Sequence, residues 1–159
     1  MIVRRFREVL ERARLEPGQR VLDLGCGWAY GTLWAGQSGA RAVGIDLELD
    51  QLAWARAGLD SGRSLTLAQA DAARLPFRDA TFDRVFSVEM MEHVFRPDRP
   101  RVLSEIARVL KHGGQAALAF TVHSRQRREG VPELVAAAGF GDCRVVESDQ
   151  AFCVIAHHR

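Results

Sequence analysis

Three kinds of residue in this chain stand where chemistry could be done. They are glycines that follow an apolar strand, acids that close apolar strands, and the block EMMEH with Glu89, Glu92 and His93. The glycines lie in VLDLGCGWAYG, Val21 to Gly31. A strand that ends in Gly-x-Gly and turns into a helix brings bare backbone N–H groups up to a ligand, and Gly25 and Gly27 are the contact points. The spacing Gly25, Gly27, Gly31 is GxGxxxG, not the GxGxxG of the usual dinucleotide fingerprint. Asp46 closes the apolar run RAVGID, and Asp71 follows the next one, Leu65 to Ala70. Consecutive parallel strands put both acids on the same sheet edge as the glycine loop. One carboxylate can accept both ribose hydroxyls, and the other, with the backbone at Ala72, can hold an adenine edge. This set needs an adenosine but not a pyrophosphate, since no arginine or second glycine cluster is spaced to receive one. It favours a nucleoside cofactor with a small charged tail over NAD(P), whose oxidoreductases also need a hydride site.

The elements that position these residues follow in order. Ile2 to Leu15, within the first 20 residues, reads as a short covering helix with Ile2, Val3, Phe6, Leu10 and Ala13 inward. Strands are expected at Val21–Leu24, Arg41–Glu48, Leu65–Ala70, Arg84 to about Met91, Gln115–Val122, Cys143–Glu147 and Ala151–His157. Helices fall between them at Thr32–Gln37, Asp50–Ala57, Arg101–Lys111 and around VPELVAAAGF. In the second helix Asp50 is the cap and Leu49, Leu52, Ala53 and Ala57 face inward. Alternation of strands and helices implies an α/β fold: a single doubly wound, Rossmann-like sheet of seven strands, mostly parallel, in one domain over 1–159. Only Ser148-Asp149-Gln150 separates the last two strands, a length suited to an antiparallel hairpin and too short for a crossover.

Composition bounds the function. With 47% hydrophobic and 26% charged residues, the chain is an ordinary globular domain and not a disordered one. No run is long and apolar enough to span a bilayer, and arginines interrupt the first fifteen residues, so a cytoplasmic, membrane-free protein is expected. Three cysteines without a CxxC pair point to reduced, mostly buried thiols. Trp28, Tyr30, Trp34 and Trp54 are read as packing residues, although Trp28 and Tyr30 flank the glycine loop and could touch a substrate. The stretch Arg96 to Arg128 carries eight basic and two acidic residues, read first as solvated helix faces and alternatively as attraction for an anionic substrate.

The stretches VLDLGCG, VGIDLELDQLAWAR, QADAARLPFRDATFDRVFSVEMMEHV and EIARVLKHGGQAAL resemble the class I S-adenosylmethionine-dependent methyltransferases, particularly the small-molecule group that includes ubiquinone-biosynthesis enzymes. The resemblance implies S-adenosylmethionine as cofactor and S-adenosylhomocysteine as product. It places Gly25 and Gly27 against the methionine end, Asp46 on the ribose, Leu47 on the adenine, Asp71 and Ala72 at the adenine edge and Glu89 at the amino group. One position departs: the third glycine of the family's GxGxG loop is Ala29. An in-line methyl transfer needs alignment above all, and an oxygen acceptor also needs a base, for which His93 is the candidate. The pattern ExxEH is similar to one that holds a divalent metal in ubiquinone-pathway O-methyltransferases and in small-RNA terminal 2′-O-methyltransferases. The reading adopted here is metal-free with a small-molecule acceptor, nucleic acid being disfavoured. A catalytically silent cofactor-binding subunit is the alternative. With few residues before the first strand, the acceptor side should be open, serving a large acceptor or covered by a neighbour in a homodimer.

Overall fold

The computed structural model describes residues 11–58, 66–121, 129–147 and 151–159. Residues 11–13 close the N-terminal helix, and Ala13 is buried as expected; Ile2, Val3, Phe6 and Leu10 lie outside the described residues. The chain then alternates: β1 (Arg20–Leu24), α1 (Tyr30–Gln37), β2 (Arg41–Asp46), α2 (Leu49–Gly58), β3 (Thr66–Gln69) and β4 (Phe82–Val88). A 3-10 turn at Arg96–Asp98 leads into α3 (Arg99–Val109) and β5 (Leu110–Thr121). After them come α4 (Val131–Ala137), β6 (Phe140–Glu147) and β7 (Ala151–His158).

All seven strands form one sheet in the order β3-β2-β1-β4-β5-β7-β6. The first five run parallel, and β7 pairs antiparallel with both β5 and β6, as the short connection between the last two strands demands. Residues alternate across the sheet. On one face Leu22, Leu24, Val85, Leu118 and Phe120 meet Val102 and Ile106 of α3 and Val135 of α4. On the other, Val21, Phe86, Val88 and Ile155 meet Ala13 and Ala35 of α1. The strand order reverses between β1 and β4, so their C-terminal ends open a crevice at the sheet's edge.

Several boundaries differ from expectation. β4 stops at Val88 and not near Met91, because Glu89 turns into the left-handed region with φ 63°. α3 begins and ends two residues early, and Leu110 goes directly into an extended conformation, so Gly113-Gly114 falls inside β5 and does not stop the helix. α2 starts at Leu49, which puts Asp50 in its first turn and not ahead of it. This helix covers only the sheet edge at β2 and β3, so its buried stripe is narrow: Leu52 and Ala55 are buried while Leu49, Ala53 and Ala57 are exposed. The expected strand start at Leu65 lies outside the described residues.

The β3–β4 connection contains no regular helix, yet it is fixed to α3 by one side chain. Arg108 donates through Nε to Glu105 Oε1 (2.7 Å), and through Nη1 to Phe77 O (2.7 Å) and Asp79 Oδ1 (2.8 Å). Its Nη2 donates to Leu75 O (3.0 Å) and Glu105 Oε2 (2.8 Å). Every N–H of the guanidinium is thereby engaged. Glu105 Oε2 also accepts the Leu75 N–H at 2.6 Å. Arg108→Met leaves this carboxylate and two loop carbonyls without their donors, and on the order of 3 kcal/mol of stability should be lost. Arg108→Lys should recover only part, since an ammonium cannot fork. Urea unfolding of the three proteins measures this; a loss below about 0.5 kcal/mol would reduce the clamp to an ordinary surface ion pair.

Candidate functional site

The crevice at the β1–β4 reversal is a cavity of about 920 Å³. Gly25, Gly27, Asp46, Leu47, Asp71, Ala72, Glu89 and His93, drawn from four separate stretches of sequence, all line it. Each sits at or just beyond a strand's C-terminal end. The topology therefore brings together what the sequence only spaced apart.

The two loop glycines do different work. Both have left-handed backbone, φ 74° at Gly25 and 51° at Gly27. A Cβ on Gly25 would lie 2.3 Å from Met90 Cγ, so this glycine is required by the protein's own packing. Among the described residues a Cβ on Gly27 would meet nothing within 4 Å, which leaves the cradle a ligand needs. Ala29 takes the third position with φ 61° and is wholly buried among Cys26, Leu52, Ala55 and Leu67. Its methyl group packs into that cluster and is not among the cavity's lining, so the departure from GxGxG leaves the cavity clear. Alanine there carries the cost of a left-handed L-residue.

Asp46 is held on both oxygens: Oδ2 accepts the Gly27 N–H (2.8 Å) and Oδ1 the Glu48 N–H (2.9 Å). A carboxylate oxygen has two lone pairs, so each can still accept from a ligand hydroxyl. Asp71 Oδ1 accepts the Ala73 N–H at 2.8 Å, which fixes the turn carrying Ala72. Leu47 is 61% exposed, a bare apolar wall. At the end of β4, the Glu89 N–H donates to Ala119 O (2.8 Å) and the His93 N–H to Met90 O (2.9 Å).

The three members of ExxEH do not converge. Glu92 is buried and its oxygens accept from Thr121 Oγ1 (3.1 Å) and Thr121 N–H (3.4 Å), so it ties the β4 exit to β5 and does not line the cavity with Glu89 and His93. Among the described residues no group of three His, Cys, Asp or Glu could hold a metal ion. Of the basic stretch, Arg108 and Lys111 are bound to Glu105, Asp79 and Asp83, and Arg99 is buried. Arg101 lines the cavity together with Asp98; Arg125, Arg127 and Arg128 lie outside the described residues.

One expectation fails, on the aromatic residues, and one acidic residue was missed. Trp28, Tyr30 and Trp54 are not packing residues but are 54%, 49% and 73% exposed; Trp34 alone of the four packs on the core. Trp28 and Tyr30 flank Ala29 where the loop enters α1, and Trp54 lies midway along α2, outside its buried stripe of Leu52 and Ala55. Asp23, given no role from sequence, is completely buried beneath the glycine loop. Its Oδ2 accepts from Thr32 Oγ1 at 2.7 Å. Burial pushes its carboxyl up to about 7, Thr32 opposing through its hydroxyl and backbone and the Asp46 charge adding to the rise. A lone acid in an otherwise apolar strand was the available signal. Cys26 and Cys153 are buried as expected and Cys143 is half-buried, and burial raises the Cys26 thiol far above its ordinary value.

Comparison with known proteins agrees with this architecture. Residues 22–118 match the model of a methyltransferase domain. The methyltransferase GfsG of Streptomyces halstedii is 40% identical over 118 residues, covering 70% of this chain and 41% of that protein. The ubiquinone biosynthesis O-methyltransferase of Hahella chejuensis is 40% identical over 129 residues, covering 80% and 52%. The chain thus spans about half the length, or less, of these relatives. Among solved structures, phosphoethanolamine N-methyltransferase 2 of Haemonchus contortus is 27% identical with a TM-score of 0.78. That structure, in complex with phosphomonomethylethanolamine and S-adenosylhomocysteine, is matched over 90% of this chain and 38% of its own.

The raised Asp23 carboxyl sets a pH dependence. Its ordinary value is 3.8 and its folded value about 7. Between these the folded state keeps a proton that the unfolded chain has lost, so stability falls as pH rises through the window and levels off above it. The contribution is at most about 1.4 kcal/mol per pH unit. Asp23→Asn keeps an acceptor for Thr32 and removes the titration. Urea unfolding at pH 5, 6, 7 and 8 should show the variant gaining on the wild type up to pH 7; a pH-independent difference would mean that Asp23 titrates as an ordinary carboxyl.

Proposed function

The chain belongs to the methyltransferase domain family, and from that premise we propose that it binds S-adenosylmethionine in the 920 Å³ cavity and passes its methyl group to a small-molecule acceptor. The observation that carries this reading is the open space over Gly27 beside an Asp46 carboxylate already oriented by two backbone N–H groups. The residues present fit the cofactor. Asp46 accepts the two ribose hydroxyls, Leu47 covers the adenine, and Asp71 with Ala72 reads its edge. Glu89, at the β4 exit, receives the amino group. Support also comes from the Haemonchus structure, which contains S-adenosylhomocysteine, and from the O-methyltransferase of Hahella.

When bound, the cofactor supplies a sulfonium methyl open to in-line attack. The protein's part is alignment and proton removal. His93 is exposed at the cavity, its backbone held to Met90. An imidazole takes up a proton at neutral pH, so His93 serves as the base for an acceptor whose attacking atom carries one. With Glu92 engaged at Thr121, ExxEH supplies two groups to the cavity and not three. Arg101, with Asp98 beside it, is the one Lys or Arg among the cavity's described lining residues, so the charge of the cavity does not favour an anionic acceptor.

Calorimetry with S-adenosylhomocysteine tests the cofactor site. Hydrogen bonds to a charged acceptor contribute about 1.5–3 kcal/mol each, so Asp46→Ala should weaken binding at least about tenfold. Gly27→Ala should do so too, at a stability cost of about 1–2 kcal/mol for a left-handed L-residue, and Gly25→Ala should lose more stability, since a Cβ there also meets Met90. NADH should not bind; equal affinity for Asp46→Ala and wild type removes Asp46 from the site. With an acceptor panel, His93→Ala should abolish turnover and EDTA should leave it unchanged. Loss with EDTA, restored by Mn²⁺, would replace the base by a metal. Tight cofactor binding with no turnover on any acceptor would favour the silent subunit.

A further inference from the structure

Trp28, Tyr30 and Trp54 together line a second cavity, about 600 Å³, between the glycine loop and α2. Trp28 and Tyr30 meet edge to face, with centroids 6.3 Å apart and planes at 72°. Asp50 and Gln51, on the first turn of α2, supply the polar lining. Ala55 and Gly58 complete it, and a Cβ on Gly58 would meet nothing within 4 Å. Trp28, Tyr30 and Gln51 also line the larger cavity, so the two spaces share a wall.

The chemistry of this slot is one-sided. Aromatic faces carry negative potential and attract cations. Among the described lining residues the ionisable groups are the Asp50 carboxylate and the Tyr30 phenol, with no Lys, Arg or His. These described residues offer a cation a carboxylate and offer an anion no counter-charge. A primary ammonium would have to exchange several water hydrogen bonds for two side chains, Asp50 and Gln51. A methylated ammonium spreads its charge over apolar methyl groups, needs no hydrogen bonds, and suits ring faces beside one carboxylate.

We propose that the slot is a recognition site for a methylated alkylammonium group of the methyl acceptor, which makes the acceptor an organic cation whose reacting atom lies elsewhere in the molecule. Its assignment to the acceptor rests on the function proposed above; the binding of the cation does not. A head group seated between Trp28 and Trp54 directs the remainder of the molecule along the shared wall toward the cofactor.

The probe is choline, set against its neutral isostere 3,3-dimethylbutan-1-ol. Both are titrated into the protein saturated with S-adenosylhomocysteine and followed by tryptophan fluorescence and calorimetry. Choline should bind saturably and the isostere at least tenfold more weakly. Trp54→Ala should weaken choline at least tenfold and Asp50→Asn at least threefold, while affinity for S-adenosylhomocysteine, which also reports folding, stays as in wild type. Equal binding of choline and isostere, no saturation by choline, or unchanged choline affinity in a folded Trp54→Ala each overturn the proposal. If choline binds with this discrimination but S-adenosylhomocysteine does not bind, the cation site stands and the methyl-transfer reading falls. The reverse pattern removes the slot and keeps the reading.

Discussion

The hydrogen bond from the Gly27 N–H to Asp46 Oδ2 is the constraint on which the site depends. It joins the loop after β1 to the end of β2, two segments that the parallel pairing Leu24↔Ile45 has already set side by side. The Gly25 and Cys26 N–H groups both donate to Ile45 O at 2.9 Å, so the loop is pinned by its backbone before any side chain acts. Left-handed dihedrals at Gly25, Gly27 and Ala29 follow from that path, because the chain must reverse from a strand into α1 within a few residues. The same turn leaves α1 without a side-chain cap. Its first N–H groups are therefore served by what lies at the loop, including the Thr32 contact with buried Asp23.

How much of this was legible in the sequence follows from what each residue's role depends on. Gly27, Asp46 and Asp71 were readable because strand ends, turns and parallel order are local or topological facts, and a doubly wound sheet collects strand ends on one edge. Strand boundaries were readable where apolar runs met turn residues, but not at Glu89, a non-glycine residue whose left-handed turn has no local signature. Glu92 could not be told from Glu89 by spacing, since its engagement depends on Thr121, twenty-nine positions away. The Arg108 clamp was equally hidden, as two of its acceptors are backbone carbonyls and a third is Asp79, all in a loop without regular structure some thirty positions away.

Burial of the aromatic residues failed for a general reason. A tryptophan in a helical pattern is read as core because large apolar side chains are usually inside. Trp54 lies on α2, whose buried residues are Leu52 and Ala55, and it falls outside that narrow stripe. Trp28 and Tyr30 straddle Ala29, which turns inward there. A narrow buried stripe in one case and a tight turn in the other decide their exposure. Exposed aromatic rings beside a cavity are the departures from an ordinary surface that a ligand would explain.

Stability and site share one set of contacts. The cavity's walls come from the segment after β3, with Asp71 and Ala72, and from the segment after β4, with His93, Val94 and Phe95 running into α3. Neither wall is a strand or a long helix. They are joined behind the cavity by Glu105 and Arg108 of α3, which grip Leu75, Phe77 and Asp79. Backbone contacts from Ala80 to Arg108 O and from Thr81 to Val109 O continue the seam. On the opposite side Asp23, Thr32 and Asp46 hold the glycine loop. A rigid rear and a rigid loop leave the front, with Leu47, Trp28 and Phe95 exposed, as the part of the cavity free to be covered by ligand. Apolar surface is thus concentrated where a bound molecule would remove it from water, and charge is engaged where the fold must hold.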